Sequence, residues 1–83
     1  MRLVYFAWVR ERIGLPHEDV EPPASVNTVA ELLLWLKSRG EAYEHALQYP
    51  EVIRVAIDHQ HVGHREAIGG AREIALFPPM TGG

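Results

Sequence analysis

The stretch Thr28-Val29-Ala30-Glu31-Leu32-Leu33-Leu34-Trp35-Leu36-Lys37 decides how the rest of this 83-residue chain is read. Its first four residues form a capping box. The Thr28 hydroxyl is placed to accept from the Glu31 amide, while the Glu31 carboxylate reaches back to the Thr28 amide. Val29, Leu32, Leu33 and Leu36 then recur at the i, i+3, i+4, i+7 spacing of one helical face. Lys37 and Arg39 fall near the negative end of the helix dipole, and Gly40 is suited to a left-handed cap. Trp35 reads as a packing or edge residue of the same helix. A helix with one apolar stripe needs one apolar sheet to lie on.

The strands of that sheet are sought on either side. Upstream, Leu3 to Val9 is continuously apolar, rich in β-branched and aromatic types and short for a helix, which predicts a central strand. Gly14-Leu15-Pro16 breaks the chain, and His17 to Val20 returns as a short second strand before Pro22-Pro23. Glu18, Asp19 and Glu21 read as a solvated acidic run. Downstream, Glu41 to Gln48 adds a helical turn or two that Pro50 ends. Val52 to Ile57 follows as a strand with Ile53, Val55 and Ile57 on one face and Arg54 and Asp58 on the other. Gly63 and Gly69-Gly70 mark turns around a short strand near His61-Val62, and Glu73 to Phe77 is the last strand, stopped by Pro78-Pro79.

Strand, strand, helix, strand, short strand, strand is the order of an α+β β-grasp, or ubiquitin-like, fold. It implies a mixed sheet of four to five strands with one main helix packed on one face. The first and last strands should lie side by side and parallel. On this reading residues 1–79 form the domain and 80–83 a flexible tail ending in Gly-Gly. Val4, Phe6 and Trp8 in the first strand, with Ala75 and Phe77 in the last, make both faces of the sheet's centre apolar. One helix covers only one face. The other is either a partner surface or is covered by loops.

Composition narrows the function. A chain of 83 residues closes a single core, burying about 60% of its unfolded surface, which leaves little room for an enclosed active site. The net charge of -3 with scattered basic residues disfavours nucleic acid as a partner. The absence of cysteine removes disulfides, thiolate metal sites and a cysteine nucleophile. No stretch approaches the roughly 20 apolar residues of a membrane span, so a cytoplasmic protein is expected. His59, His61 and His64 stand at H-x-H-x-x-H spacing beside Asp58, a pattern either of metal ligands or of a surface loop. With no cysteine nearby to join them, the loop reading is preferred and no metal is assigned.

The chemistry then falls to the end of the chain, Phe77-Pro78-Pro79-Met80-Thr81-Gly82-Gly83. Two residues without side chains let a backbone enter a narrow channel of another protein, and four extended residues reach about 13–14 Å. A terminal carboxylate is a poor electrophile until an oxygen is turned into a leaving group, as adenylation by ATP does. An activated sulfur then gives a thiocarboxylate without any thiol on this chain. A diglycyl end alone is equally that of a frayed tail.

Both ends together are more specific. Phe6-Ala7 with Arg10-Glu11 and Gly14, the capped Leu-rich helix, Val55-Ala56-Ile57, and Ile74-Ala75-Leu76-Phe77-Pro78-Pro79 through Gly82-Gly83 resemble the molybdopterin synthase small subunit, the MoaD family, over essentially the whole chain. The resemblance implies a sulfur carrier with no permanently bound cofactor. A MoeB-like, E1-like enzyme uses ATP to adenylate Gly83, and a MoaE-like large subunit, which holds the catalytic residues, takes sulfur from the thiocarboxylate for the dithiolene of molybdopterin. Gly82 and Gly83 carry over as the reactive tail, Phe77, Pro78 and Pro79 as its rigid base leading into Met80 and Thr81, and Phe6 and Arg10 as partner-surface positions. Two departures touch turns: Gly70-Ala71-Arg72-Glu73 stands where the family often has Gly-Asp-Glu, and Asp58 where it often has Asn. The alternatives are a sulfur carrier for thiamine thiazole or amino-acid biosynthesis, a ubiquitin-like modifier of lysines, and a β-grasp binding module with no chemistry at its end.

Overall fold

The computed structural model describes residues 1–79. The elements run β1 (Arg2–Tyr5), α1 (Ala7–Ile13), β2 (His17–Asp19), α2 (Val29–Lys37), α3 (Glu41–Ala46), a 3₁₀ turn (Pro50–Val52), β3 (Arg54–Ile57), β4 (Gln60–Val62) and β5 (Glu73–Phe77). The five strands form one sheet in the order β2-β1-β5-β3-β4. β1 and β5 are parallel, with Leu3 opposite Ile74 and Tyr5 opposite Leu76, and the other pairings are antiparallel. This is the ubiquitin-like β-grasp that the element order predicts.

The capping box forms as its residues dictate. Thr28 Oγ1 accepts from the Glu31 amide at 3.2 Å, and Glu31 Oε1 accepts from the amides of Thr28 at 3.0 Å and Asn27 at 2.8 Å. Those amide bonds hold the Glu31 carboxyl below its usual pKa. Val29, Leu32, Leu33 and Leu36 are all fully buried, an apolar transfer of about 1.5–3 kcal/mol for each side chain. They meet Leu3, Tyr5, Val55, Ile74 and Leu76 from the sheet in a single core. α2 ends at Ser38 in a right-handed conformation. Gly40 does not supply the left-handed cap expected of it; it precedes α3 as that helix's N-cap.

The apolar run Leu3 to Val9 is not one strand. β1 stops at Tyr5, and the Phe6 amide adds a last sheet bond to Leu76 O at 3.1 Å. Ala7 then takes φ +50°, which turns the chain off the sheet, and the amides of Val9 and Arg10 donate to Phe6 O to begin α1. Gly14, at φ +90°, closes that helix with its amide on Arg10 O, a left-handed cap that glycine takes without a Cβ penalty. Val9 and Ile13, four apart, bury α1 in the same core as α2, so the shorter helices α1 and α3 join the main helix α2 on this face.

The acidic run is not simply solvated. Glu18 faces the helices, where it accepts from Tyr5 Oη at 2.7 Å, Tyr43 Oη at 2.6 Å and the Arg39 guanidinium at 3.3 Å. Burial disfavours its charge, but the hydrogen bonds from Tyr43 and Tyr5 and the nearby Arg39 outweigh that and hold its pKa below the usual carboxylate range. Burial, reinforced by the Glu18 carboxylate, pushes both tyrosine hydroxyls up. One carboxylate thus ties the edge strand β2 to the central strand β1 and to α3.

β3 begins at Arg54, because Pro50 opens a 3₁₀ turn through Val52. Ile53 and Val55 are buried and Ile57 packs at the core's margin. Asp58 and His59, both at positive φ, make the two-residue loop between paired Ile57 and Gln60. The Asp58 carboxylate accepts from the amides of Arg72 at 3.1 Å and Glu73 at 2.9 Å. The two departures from the family pattern therefore touch each other.

Candidate docking face and the carboxyl-terminal strand

Strand alternation sends Leu3, Tyr5, Val55, Ile74 and Leu76 to the helices and leaves Val4, Ala56, Ala75 and Phe77 on the opposite face. All three helices join the core on the other side, so none of them packs here. Cross-strand register builds this face in rows. His17, Val4, Ala75, Ala56 and His61 lie in line from edge to edge. One side of this apolar row carries a charged belt, where Arg2 pairs with Glu73 at 3.8 Å and His59 approaches the same carboxylate at 3.7 Å. The side towards Pro78 carries the aromatics.

Phe6 and Phe77 meet edge-to-face with centroids 6.3 Å apart, and His61 meets Phe77 in the same manner at 5.2 Å. Phe6 remains 48% exposed and Phe77 is half-buried. The local chain explains the pair. The Phe6 amide bonded to Leu76 O holds Phe6 alongside β5, and its carbonyl opens α1. Arg10 is exposed one helical turn beyond Phe6, and Arg54 is exposed opposite Phe77 in the β3–β5 register. Pro78 and Pro79 continue from β5, and Pro79 borders a shallow recess of about 350 Å³ with Glu51, Arg54, Val62 and His64.

The structure thus brings Phe6, Phe77, Pro78 and Pro79 to one end of one face, while Arg10 stands exposed on α1, its amide on Phe6 O. Met80, Thr81, Gly82 and Gly83 lie outside the described residues. His61 and Arg54 belong to this end of the face and were not selected from sequence. The signal was available in the alternation of β3 and β4, since each stands on the opposite side of its strand from a core valine. The three spaced histidines go to three settings: His59 to Glu73, His61 to Phe77, and His64 Nε2 to within 2.7 Å of Ile53 O. Among the described residues no group of three potential ligands is placed to hold a metal ion, and no helix is long and apolar enough to cross a membrane. Trp8 sits on α1 beneath the Arg12 guanidinium at 4.3 Å, and Trp35 packs at the core's margin under Arg39.

A ubiquitin-like body whose last strand leads towards a diglycyl end is the architecture of the ubiquitin-like sulfur carriers, and one that ubiquitin-like modifiers share. The chain belongs to the ThiS family, which matches residues 3–83. It is 32% identical to a protein of Haemophilus influenzae named molybdopterin synthase sulfur carrier subunit, over 100% of this chain and 99% of that one. Among solved structures, SAMP1 from Haloferax volcanii matches with a TM-score of 0.73 and 27% identity, covering 100% of this chain and 98% of that one. A putative molybdopterin converting factor, subunit 1, from Pyrococcus furiosus matches in fold with a TM-score of 0.75 at 22% identity, covering 95% of each chain.

Proposed function

We propose that this protein is the sulfur-carrier subunit of molybdopterin synthase, acting in the cytoplasm through its terminal carboxylate. The observation that carries the reading is the position of β5. The central strand of the sheet runs past a helix-free face and delivers Pro78-Pro79 at the aromatic margin of that face, and in sequence Gly82-Gly83 follows within four residues of Pro79. The near full-length relation to the Haemophilus influenzae subunit supports it.

The chemistry begins with the Gly83 carboxylate attacking the α-phosphorus of ATP on an E1-like, MoeB-like enzyme, releasing pyrophosphate. An activated sulfur displaces AMP from the acyl carbon. Where the donor is a persulfide, a thiol then attacks the sulfur–sulfur bond and frees the thiocarboxylate. The MoaE-like large subunit docks Phe6, Arg10 and Phe77, receives Met80, Thr81, Gly82 and Gly83, and supplies the catalytic residues that pass the sulfur to the pterin precursor. ATP belongs to the activating enzyme, and this chain keeps no cofactor.

The test is intact-mass analysis after incubation with the activating enzyme, ATP and a sulfur donor, where one terminal oxygen exchanges for sulfur. Deleting Gly83 abolishes the exchange and molybdopterin formation in a reconstituted assay while leaving the thermal midpoint unchanged. A truncated chain that still supports synthesis ends the proposal. The likeness to SAMP1 favours a second reading, attachment of the same carboxylate to lysines. It predicts ATP-dependent conjugates of higher mass in cell extract, and their absence removes it.

A further inference from the structure

We infer that the partner of the open face carries two separate acidic groups, one for Arg10 and one for Arg54, beside a pocket that takes the Phe6–Phe77 pair. The inference rests on the sulfur-carrier reading only for the identity of the partner, the large synthase subunit. Arg54 stands opposite Phe77 in the β3–β5 register, and its neighbour Val55 is buried, so Arg54 projects on the open face. Arg10 stands one turn beyond Phe6 on α1. Phe6, Phe77 and Arg54 thus follow one another across this end of the sheet, with Arg10 one turn along α1 from Phe6.

Both arginines are exposed, and neither makes an ion pair, a side-chain hydrogen bond or an aromatic contact among the described residues. Three of the other arginines are engaged, Arg2 with Glu73, Arg39 with Glu18 and Arg12 over Trp8, whereas the Arg65 and Arg72 side chains, like those of Arg10 and Arg54, make none of these contacts among the described residues. Glu51 borders the recess beside Arg54 without forming an ion pair. The chain as a whole carries -3, so this end of the face runs against the net charge. An acidic partner is repelled by most of the surface and accepted here, which orients the encounter. Apolar contact between aromatic rings carries little information about register. Two separate guanidinium–carboxylate pairs beside the rings fix it, and so aim the segment that follows Pro79.

The experiment measures binding of the full chain to the large synthase subunit at about 0.05 M and about 0.5 M salt, a range over which the screening length falls severalfold. Arg54→Glu weakens binding about tenfold or more at low salt and about twofold or less at high salt, because a charged rim contact is screened. Arg65→Glu, exposed on the loop before Ile68 and off this face, changes neither value by more than about twofold. Thermal midpoints of both variants stay with the wild type. Arg54→Glu binding as tightly as wild type, a loss undiminished by salt, or an equal loss from Arg65→Glu each overturns the inference. These results leave sulfur loading of Gly83 untouched, whereas a wild-type chain that never acquires sulfur defeats the functional reading instead.

Discussion

Replacing Glu18 with alanine should destabilise the domain far more than an acidic residue on an edge strand ordinarily would. The substitution strands the Tyr5 hydroxyl, whose residue is 1% exposed, while Tyr43 and Arg39 can turn partly to water. Hydrogen bonds to a charged group contribute about 1.5–3 kcal/mol each and an unsatisfied buried hydroxyl costs about 1–3 kcal/mol, and bonds sharing one acceptor do not add. A loss of about 2–4 kcal/mol follows for Glu18→Ala, a fall of about 10–25 °C in thermal midpoint for a domain of this size. Glu18→Gln preserves the shape and one acceptor oxygen for the tyrosines but turns an amide towards Arg39, and should lose about 1–2 kcal/mol. The folded carboxyl is held below the unfolded value of about 4.3, so its contribution is complete above that pH and disappears as pH falls through the folded value. Urea titrations at neutral and acidic pH measure both effects, and the glutamine variant should lose less stability than wild type over the acid step. Adding Tyr5→Phe to Glu18→Ala should recover part of the loss. An alanine variant within about 0.5 kcal/mol of wild type at pH 7 would refute the role assigned to this carboxylate.

Three further outcomes follow from other contacts. Phe77→Ala should weaken large-subunit binding by about tenfold or more while lowering stability by only about 1 kcal/mol, and the reverse ranking by calorimetry would make Phe77 a core residue. Ala7→Gly relieves a left-handed alanine and should raise urea-derived stability by up to about 1 kcal/mol; a clear loss would mean that the φ of +50° is not strained. Asp58→Ala should lose about 1–2 kcal/mol through the Arg72 and Glu73 amides, while Asp58→Asn, which keeps an acceptor and tolerates positive φ, stays within about 0.5 kcal/mol on thermal denaturation.

Local rules read the elements whose signals are local. The capping box at Thr28 placed the start of α2 and the proline stop after Phe77 placed β5 at the observed residues, and the parallel β1–β5 pairing followed from their order. α1 escaped because Phe6 caps it with no side-chain bond and its first residue is an alanine in a left-handed conformation. Its signal was present in the Val9 and Ile13 spacing and in Gly14. Glu18 escaped for another reason. Its partners Tyr5, Arg39 and Tyr43 lie 13, 21 and 25 residues away, and no periodicity links an edge-strand glutamate to them. The aromatics of the open face were legible from alternation; Arg54 beside them became visible only once β3 was seen to lie against β5.

The neighbours at the middle of the sheet are the first and the last strand of the fold. Arg2 faces Glu73, so during synthesis β1 must wait until every other element has been made before its central partner exists. On the proposed reading, a product cut short before Phe77 lacks both the strand that completes the fold and the glycines an activating enzyme would adenylate. Covalent chemistry at Gly83 would thereby be reserved for chains that carry β5.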